Sequence, residues 1–497
     1  MKSGTEYILS IDQSTSATKA MLFNKESRLI DRETVVHRQF YPHPGFVEHD
    51  PVEIFENTIA AISRLFIKTG TGEESIYGIS ITNQRETIVV WDKNSGLPVC
   101  NAAVWQCQRG AEFCEQLRRE GYGPMIREKT GLLIDPYFSA SKLHWIFFHD
   151  KSLKARADKG DLLLGTMDSW LLWKLTGGKV HATDYSNACR TMLFNIKSLE
   201  WDQELIGLFG LNRNMFPEVR FSDEVFGYTD PSVIFSKALP VSGLLGDSHA
   251  ALVGQHCFSW GMAKATYGTG SSIMMNIGPR FMQAPEGLVT SIGYGMDGKI
   301  NYVFEGNIHC TGDTINWLKS DVGLIGDVSE AEDLASSVDD NNGVYLVPAF
   351  VGLGAPYWDN EARACLSGMS RSTTKSHIVR AALESIAYQV KDLISLMERE
   401  GGIPLNELRV DGGPTRNDFL MQFQADMLGS PIVRPAIEEI SALGAALMAG
   451  LAFGVWNNKE QIGQLRKAGE TFFPEMQQEK VDCFYSGWKK AVERARL

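Results

Sequence analysis

Tyr7-Ile-Leu-Ser-Ile-Asp-Gln-Ser-Thr-Ser-Ala-Thr-Lys-Ala-Met-Leu-Phe-Asn24 sets two candidate strands around a polar turn. Two apolar runs, Tyr7 to Asp12 and Lys19 to Asn24, flank a turn of hydroxyl residues, which predicts an antiparallel hairpin. The first run ends on a carboxylate, and the turn offers Ser14, Thr15, Ser16 and Thr18. Hydroxyls and turn amides of this kind make concavities for phosphate, and a strand-end carboxylate suits a hard divalent cation. Two other segments are built alike. In Ser242-Gly-Leu-Leu-Gly-Asp-Ser-His-Ala-Ala-Leu252, glycines permit a sharp turn that presents Asp247 at a strand end. Ala265-Thr-Tyr-Gly-Thr-Gly-Ser-Ser272 is a glycine-threonine turn.

Strand and helix patterns alternate outward from the hairpin. Asp50 is an N-cap with Pro51 at the first helical position and Glu53 placed for a capping box. Phe55, Ile59, Ile62 and Phe66 then recur at helical spacing. A second helix opens at Ser376 and carries the stripe Ile378, Ala382, Ile386, Val390, Ile394 and Met397 up to Gly401-Gly402. Buried-strand patterns lie at 76–82, 162–165, 343–348 and 408–411. This is an α/β chain. Its 497 residues exceed what one core serves, so two domains are expected, 1–254 and 255–497, the division falling where the strand-helix pattern begins again. No internal repeat is visible.

Composition removes several classes. A net charge of −12 argues against a nucleic-acid partner. The apolar run from Ile440 to Trp456 falls short of the roughly 20 residues a membrane span needs and reads as a buried helix with close backbone contacts. Eight cysteines without a Cys-x-x-Cys pair predict reduced thiols and a cytoplasmic location, and the N-terminus lacks a signal-peptide pattern. No Gly-x-x-x-x-Gly-Lys-Ser/Thr occurs. The one Gly-x-Gly-x-x-Gly, at Gly293 to Gly298, leads into an alternating strand pattern, so it reads as a hairpin turn and not as a dinucleotide loop.

The remaining motifs carry a resemblance. Asp12-Gln13, Asn83-Gln-Arg-Glu-Thr87, Trp105-Gln-Cys-Gln-Arg109, Asp135-Pro-Tyr137, Thr183-Asp-Tyr185, Arg190-Thr-Met-Leu-Phe-Asn195, Thr266-Tyr-Gly-Thr-Gly270, Val347-Pro-Ala-Phe350, Gly354-Ala-Pro-Tyr-Trp358 and Val410-Asp-Gly-Gly413 resemble, in order, the motifs of the glycerol kinase branch of the FGGY carbohydrate kinases. The resemblance runs from about Ile8 to about Trp488. It implies a two-domain, actin-like ATPase fold of the ribonuclease H-like kind, with the active site in the cleft between domains. It also implies ATP and Mg²⁺ as cofactors, a small polyol as acceptor, and a homodimer or homotetramer.

Site residues follow from the same resemblance. Asp247 is the expected base, orienting the attacking hydroxyl and taking its proton. Asp12 and Asp247 stand at the metal, although an Asp capping a tight turn reads the same way alone. Ser14, Thr15, Ser16 and Lys19 face the nucleotide with Thr269, and Gly312, Asn316, Gly412, Gly413 and Asn417 make the adenosine side. Arg85 and Glu86 form a polyol clamp, the alternative being a surface ion pair. Trp105 and Tyr137 line the pocket.

Five positions depart from the branch's pattern. Lys19 replaces Arg, which keeps the charge and loses the bidentate fork, and Ser14 replaces Gly. Ser248 and His249 replace Gln, and Ser272 replaces a Phe. Two small hydroxyl side chains in place of bulky ones enlarge the pocket. The acceptor is therefore either glycerol, giving sn-glycerol 3-phosphate, or a longer polyol such as erythritol, xylitol, ribitol or arabitol. A pentulose kinase and a non-catalytic ATP-binding sensor of the same fold are the remaining readings.

Overall fold

The computed structural model describes residues 6–359, 361–465 and 469–497. The hairpin forms as its sequence predicts, Tyr7–Gln13 against Ala17–Asn24, with Asp12 opposite Lys19. Leu9, Ile11, Ala20 and Leu22 feed one core, whereas Ile8, Met21 and Phe23 feed another. Burial on both faces is what a sheet covered by helices requires.

This hairpin belongs to a six-stranded sheet ordered Gly227–Tyr228, Pro240–Gly246, Ile76–Asn83, Tyr7–Gln13, Ala17–Asn24, Leu29–Val36. Its three adjacent inner strands Pro240–Gly246, Ile76–Asn83 and Tyr7–Gln13 run parallel. A seven-stranded sheet follows, ordered Val289–Met296, Lys299–Ile308, Ser271–Gly278, Met262–Tyr267, Glu407–Asp411, Ile432–Arg434, Glu470–Phe472. There too a hairpin, Met262–Tyr267 with Ser271–Gly278, pairs in parallel with Glu407–Asp411 and, beyond it, Ile432–Arg434. The two sheets thus repeat one topology. The sequence hides the repeat because buried strands constrain only apolarity and spacing.

Helix Ile440–Ala452 ties the halves together. It packs on helix Asp247–Gly254 and on the strands of the first sheet. Glycines make the approach possible: a Cβ at Gly444 would lie 1.8 Å from the Ala250 carbonyl, and one at Gly254 2.2 Å from that of Ile440. Ser10 Oγ donates to the Ala442 carbonyl across the same contact at 2.9 Å. The expected buried helix is therefore present, and its partner is the first sheet.

Local expectations fare differently. Asp50 caps helix Pro51–Thr69 by accepting from Val52 N. The capping box does not form, because Glu53 bonds Arg38 instead. Ile54, Thr58, Ala61, Ile62 and Leu65 face the core, and Phe55, Ile59 and Phe66 lie at the margins of that stripe. The second helix runs Lys375–Gly401 from an N-cap at Thr374. Asp297 and Gly298, both at positive φ, turn strand Val289–Met296 into Lys299–Ile308, so the glycine motif is the hairpin turn expected. None of the eight cysteines forms a disulfide. Among the described residues no helix is long and apolar enough to cross a membrane.

Candidate active site

Three adjacent parallel strands of the first sheet end together, Gln13 beside Asn83 and Gly246 beside Asn83. Open α/β sheets place their sites at such carboxyl ends. Here the ends deliver Asp12, Arg85 and Asp247. Asp247 opens helix Asp247–Gly254, its side chain 41% exposed, with Arg85 Nε 3.3 Å from Oδ1. Behind it a buried chain of hydrogen bonds fixes the turn: Gly246 N donates to Ser186 Oγ, and Ser186 Oγ to Asp184 Oδ1.

Asp12 is buried, and burial pushes its carboxyl up to about 7, with Lys19 opposing and Glu439 and Asp247 adding to the rise. Lys19 Nζ lies 3.9 Å from Asp12 but 2.8 Å from Glu439, so its charge is already engaged. Trp105 Nε1 donates to Thr15 Oγ1 at 2.9 Å, tying the aromatic wall to the hydroxyl turn. Trp105 and Tyr137 meet edge to face, centroids 5.6 Å apart.

Arg85 and Glu86 are buried, which removes the surface-pair reading, and neither is the other's partner in hydrogen bonding. Arg85 Nη1 donates to Glu305 Oε1 at 3.0 Å. Arg190 Nη1 donates to Glu305 Oε2 at 2.7 Å, and Arg190 Nε to Glu86 Oε1 at 2.6 Å. Four charges therefore interlock. Burial pushes the Glu305 carboxyl up, but Arg190 and Arg85 together outweigh it and hold it down to about 2. Glu86, pushed up by burial, finds less compensation in Arg85 and Arg190 and stays raised. One oxygen of Glu86 has no protein partner among the described residues, so it remains available to a ligand hydroxyl.

Ser248, at the start of helix Asp247–Gly254, meets Ser272 of the second sheet, Oγ to Oγ at 3.2 Å. Lys264 Nζ, fully buried, sits 3.4 Å from Ser272 Oγ, 3.3 Å from its carbonyl and 3.2 Å from Thr266 Oγ1. Burial lowers this ammonium to about 8, with Asp411 opposing. His249 is fully buried with neither ring nitrogen hydrogen-bonded, and burial followed by Arg85 holds it neutral.

Glycines converge on the second sheet's edge. The carbonyls of Gly268 and Thr269 accept from the start of helix Gly312–Ser320. A Cβ at Gly312 would stand 2.6 Å from the Gly268 carbonyl and 3.2 Å from Pro414. Gly412, at φ +101, would put one 1.9 Å from the Tyr267 carbonyl. Thr269, Asn316 and Gly413 are exposed around this bare backbone. Asn417 caps helix Asp418–Leu428 through Leu420 N, which engages its side-chain oxygen.

Sequence reasoning missed Arg190, Glu305, Lys264 and Glu439 as site members. Glu305 carried a signal, a carboxylate on the face of an alternating strand that it shares with Val303. Arg190 stood inside a motif without a stated role. Lys264 and Glu439 had no sequence mark, since each is defined by a partner from another part of the chain.

Comparison with known proteins agrees with this construction. Residues 7–254 match the FGGY family of carbohydrate kinases, N-terminal domain, and residues 263–453 its C-terminal domain. A glycerol kinase of Geobacillus sp. is 49% identical over 98% of this chain and 99% of its own length. Glycerol kinase 2 of Thermotoga maritima is 49% identical over 99% of each. The crystal structure of Plasmodium falciparum glycerol kinase with ADP superposes with a TM-score of 0.93 at 36% identity, covering 99% of this chain and 98% of that one. A gluconate kinase from Lactobacillus acidophilus, 21% identical with a TM-score of 0.87 and coverage of 98% and 96%, shares the fold. The chain belongs to the FGGY family of carbohydrate kinases, with its two-domain, actin-like α/β fold.

Proposed function

We propose that this protein transfers the γ-phosphoryl group of MgATP to a terminal hydroxyl of glycerol. The observation that carries the reading is Asp247, a half-open carboxylate held 3.3 Å from Arg85 Nε between a charged wall and a glycine-lined edge. Arg85 and the unengaged oxygen of Glu86 hold polyol hydroxyls, and Trp105 and Tyr137 cover the C–H edges. Asp247 orients the attacking hydroxyl and accepts its proton, the main help that phosphoryl transfer needs beyond charge stabilisation.

Nucleotide phosphates meet the Ser14–Ser16 turn and Thr269. Gly312, Asn316, Gly412, Gly413 and Asn417 surround the adenosine, where side chains on the glycines would collide. Among the described residues no three His, Cys, Asp or Glu side chains group as metal ligands. Asp12, buried and beside Asp247, suits a magnesium ion that takes its other ligands from phosphate oxygens and water. Lys19 reaches a phosphate once Glu439 gives up its hold. We place the division between the units at 254/255, with the reaction in the cleft between them.

ADP release on adding glycerol and MgATP tests the whole reading. Asp247→Asn should lower kcat by a factor of about a hundred or more, some 3 kcal/mol of barrier, with ADP binding retained. Near-normal turnover in that variant would remove Asp247 from the mechanism.

A further inference from the structure

Ser272 Oγ has two lone pairs, and two donors lie in reach: Ser248 Oγ at 3.2 Å and Lys264 Nζ at 3.4 Å. With both accepted, its own proton must be donated elsewhere. Ser248 Oγ, having donated to Ser272, keeps its acceptor pairs, and among the described residues no other group bonds to it. The pair therefore presents one oriented donor and free acceptors side by side. A secondary alcohol presents the complementary set. Both serines are partly accessible, and Ser248 follows Asp247 directly, so the pair borders the site already described.

From this hydrogen-bond arithmetic we infer that Ser248 and Ser272 form a subsite for one more CHOH unit, so that four-carbon polyols are substrates as well as glycerol. The inference rests on the proposed polyol kinase activity. Lys264, fully buried, donates to Ser272 Oγ at 3.4 Å and so occupies one of that hydroxyl's acceptor pairs from inside the protein. A three-carbon acceptor leaves this hydroxyl pair to water; a tetritol engages it.

The test measures kcat/KM with MgATP for glycerol, erythritol and threitol. At least one tetritol should come within about tenfold of glycerol or exceed it. Ser272→Ala deletes the donor and should lower the tetritol-to-glycerol ratio by roughly 10–200-fold, the range that one mismatched group commands. Ser272→Phe fills the space and should lower the ratio further; should it fail to fold, Ser272→Ala and wild type carry the test. Turnover of glycerol with none of either tetritol overturns the subsite and leaves the proposed function standing. Turnover of no polyol overturns both. Tetritol turnover with a ratio unmoved by Ser272→Ala overturns the assignment to these serines.

Discussion

The two sheets share a topology and end in opposite chemistry. At the first edge, strand ends present Asp12, Arg85 and Asp247, with Glu86, Arg190 and Glu305 interlocked beside them. At the equivalent edge of the second sheet, Gly268, Gly270, Gly412 and Gly413 expose backbone. One edge works through charges that must be matched, because unpaired charge in a dry interior is costly. The other works through missing side chains, because a flat ligand needs the backbone itself. Damage at the two edges should therefore look different, in global stability at the first and in local collision at the second.

The largest expected effect is at the charged edge. Arg190→Ala strands Glu86 and Glu305 without a shared partner, and should cost about 3–5 kcal/mol in urea unfolding. A cost below about 1 kcal/mol would mean that water solvates the cluster and the contrast fails. Acid probes the same group. Glu305 is held at about 2 against an ordinary 4.5, so its contribution is full above pH 4.5 and lost as pH falls through 2. Stability should drop by up to about 3 kcal/mol over that window. In Glu305→Gln that part of the slope should vanish; an unchanged slope assigns the acid response to other carboxyls.

How much was legible follows the same contrast. The hairpin, the strand-end aspartates and the glycine turns are local patterns, and Asp12, Asp247, Gly268 and Gly412 stand where those patterns put them. The clamp was half legible. Arg85 and Glu86 were marked as a pair, but their hydrogen-bonding partners Glu305 and Arg190 lie more than a hundred residues away, and no local spacing encodes such a pairing. The repeat of topology was invisible for a related reason: strand order is set by which buried faces meet, and apolar strands are interchangeable in composition. Lys19 reads as a phosphate ligand in sequence, whereas its partner Glu439 becomes apparent only when helix Ile440–Ala452 folds back onto the first sheet.

At the glycine edge the effects are smaller and more local. Gly412→Ala forces a Cβ against the Tyr267 carbonyl at φ +101, and Tyr267 is fully buried with its hydroxyl bonded to Gln424, so it cannot yield. About 1–3 kcal/mol of stability should be lost, together with ADP affinity.

Gly413→Ala is the sharpest form of the comparison, one residue on. A Cβ there meets nothing within 4 Å, and its φ lies outside the left-handed region. The chain itself gives no reason for glycine at this position. Stability should stay level or rise by about 0.4–1 kcal/mol, since alanine narrows the unfolded ensemble. If a nucleotide packs against this backbone, the added methyl should instead weaken ADP binding by about tenfold, an overpacking cost of about 1.4 kcal/mol. Calorimetric titration with ADP, paired with a urea curve, separates the two terms. Unchanged affinity would show that the nucleotide does not lie on Gly413, and would narrow the bare edge to Gly268, Gly270 and Gly412.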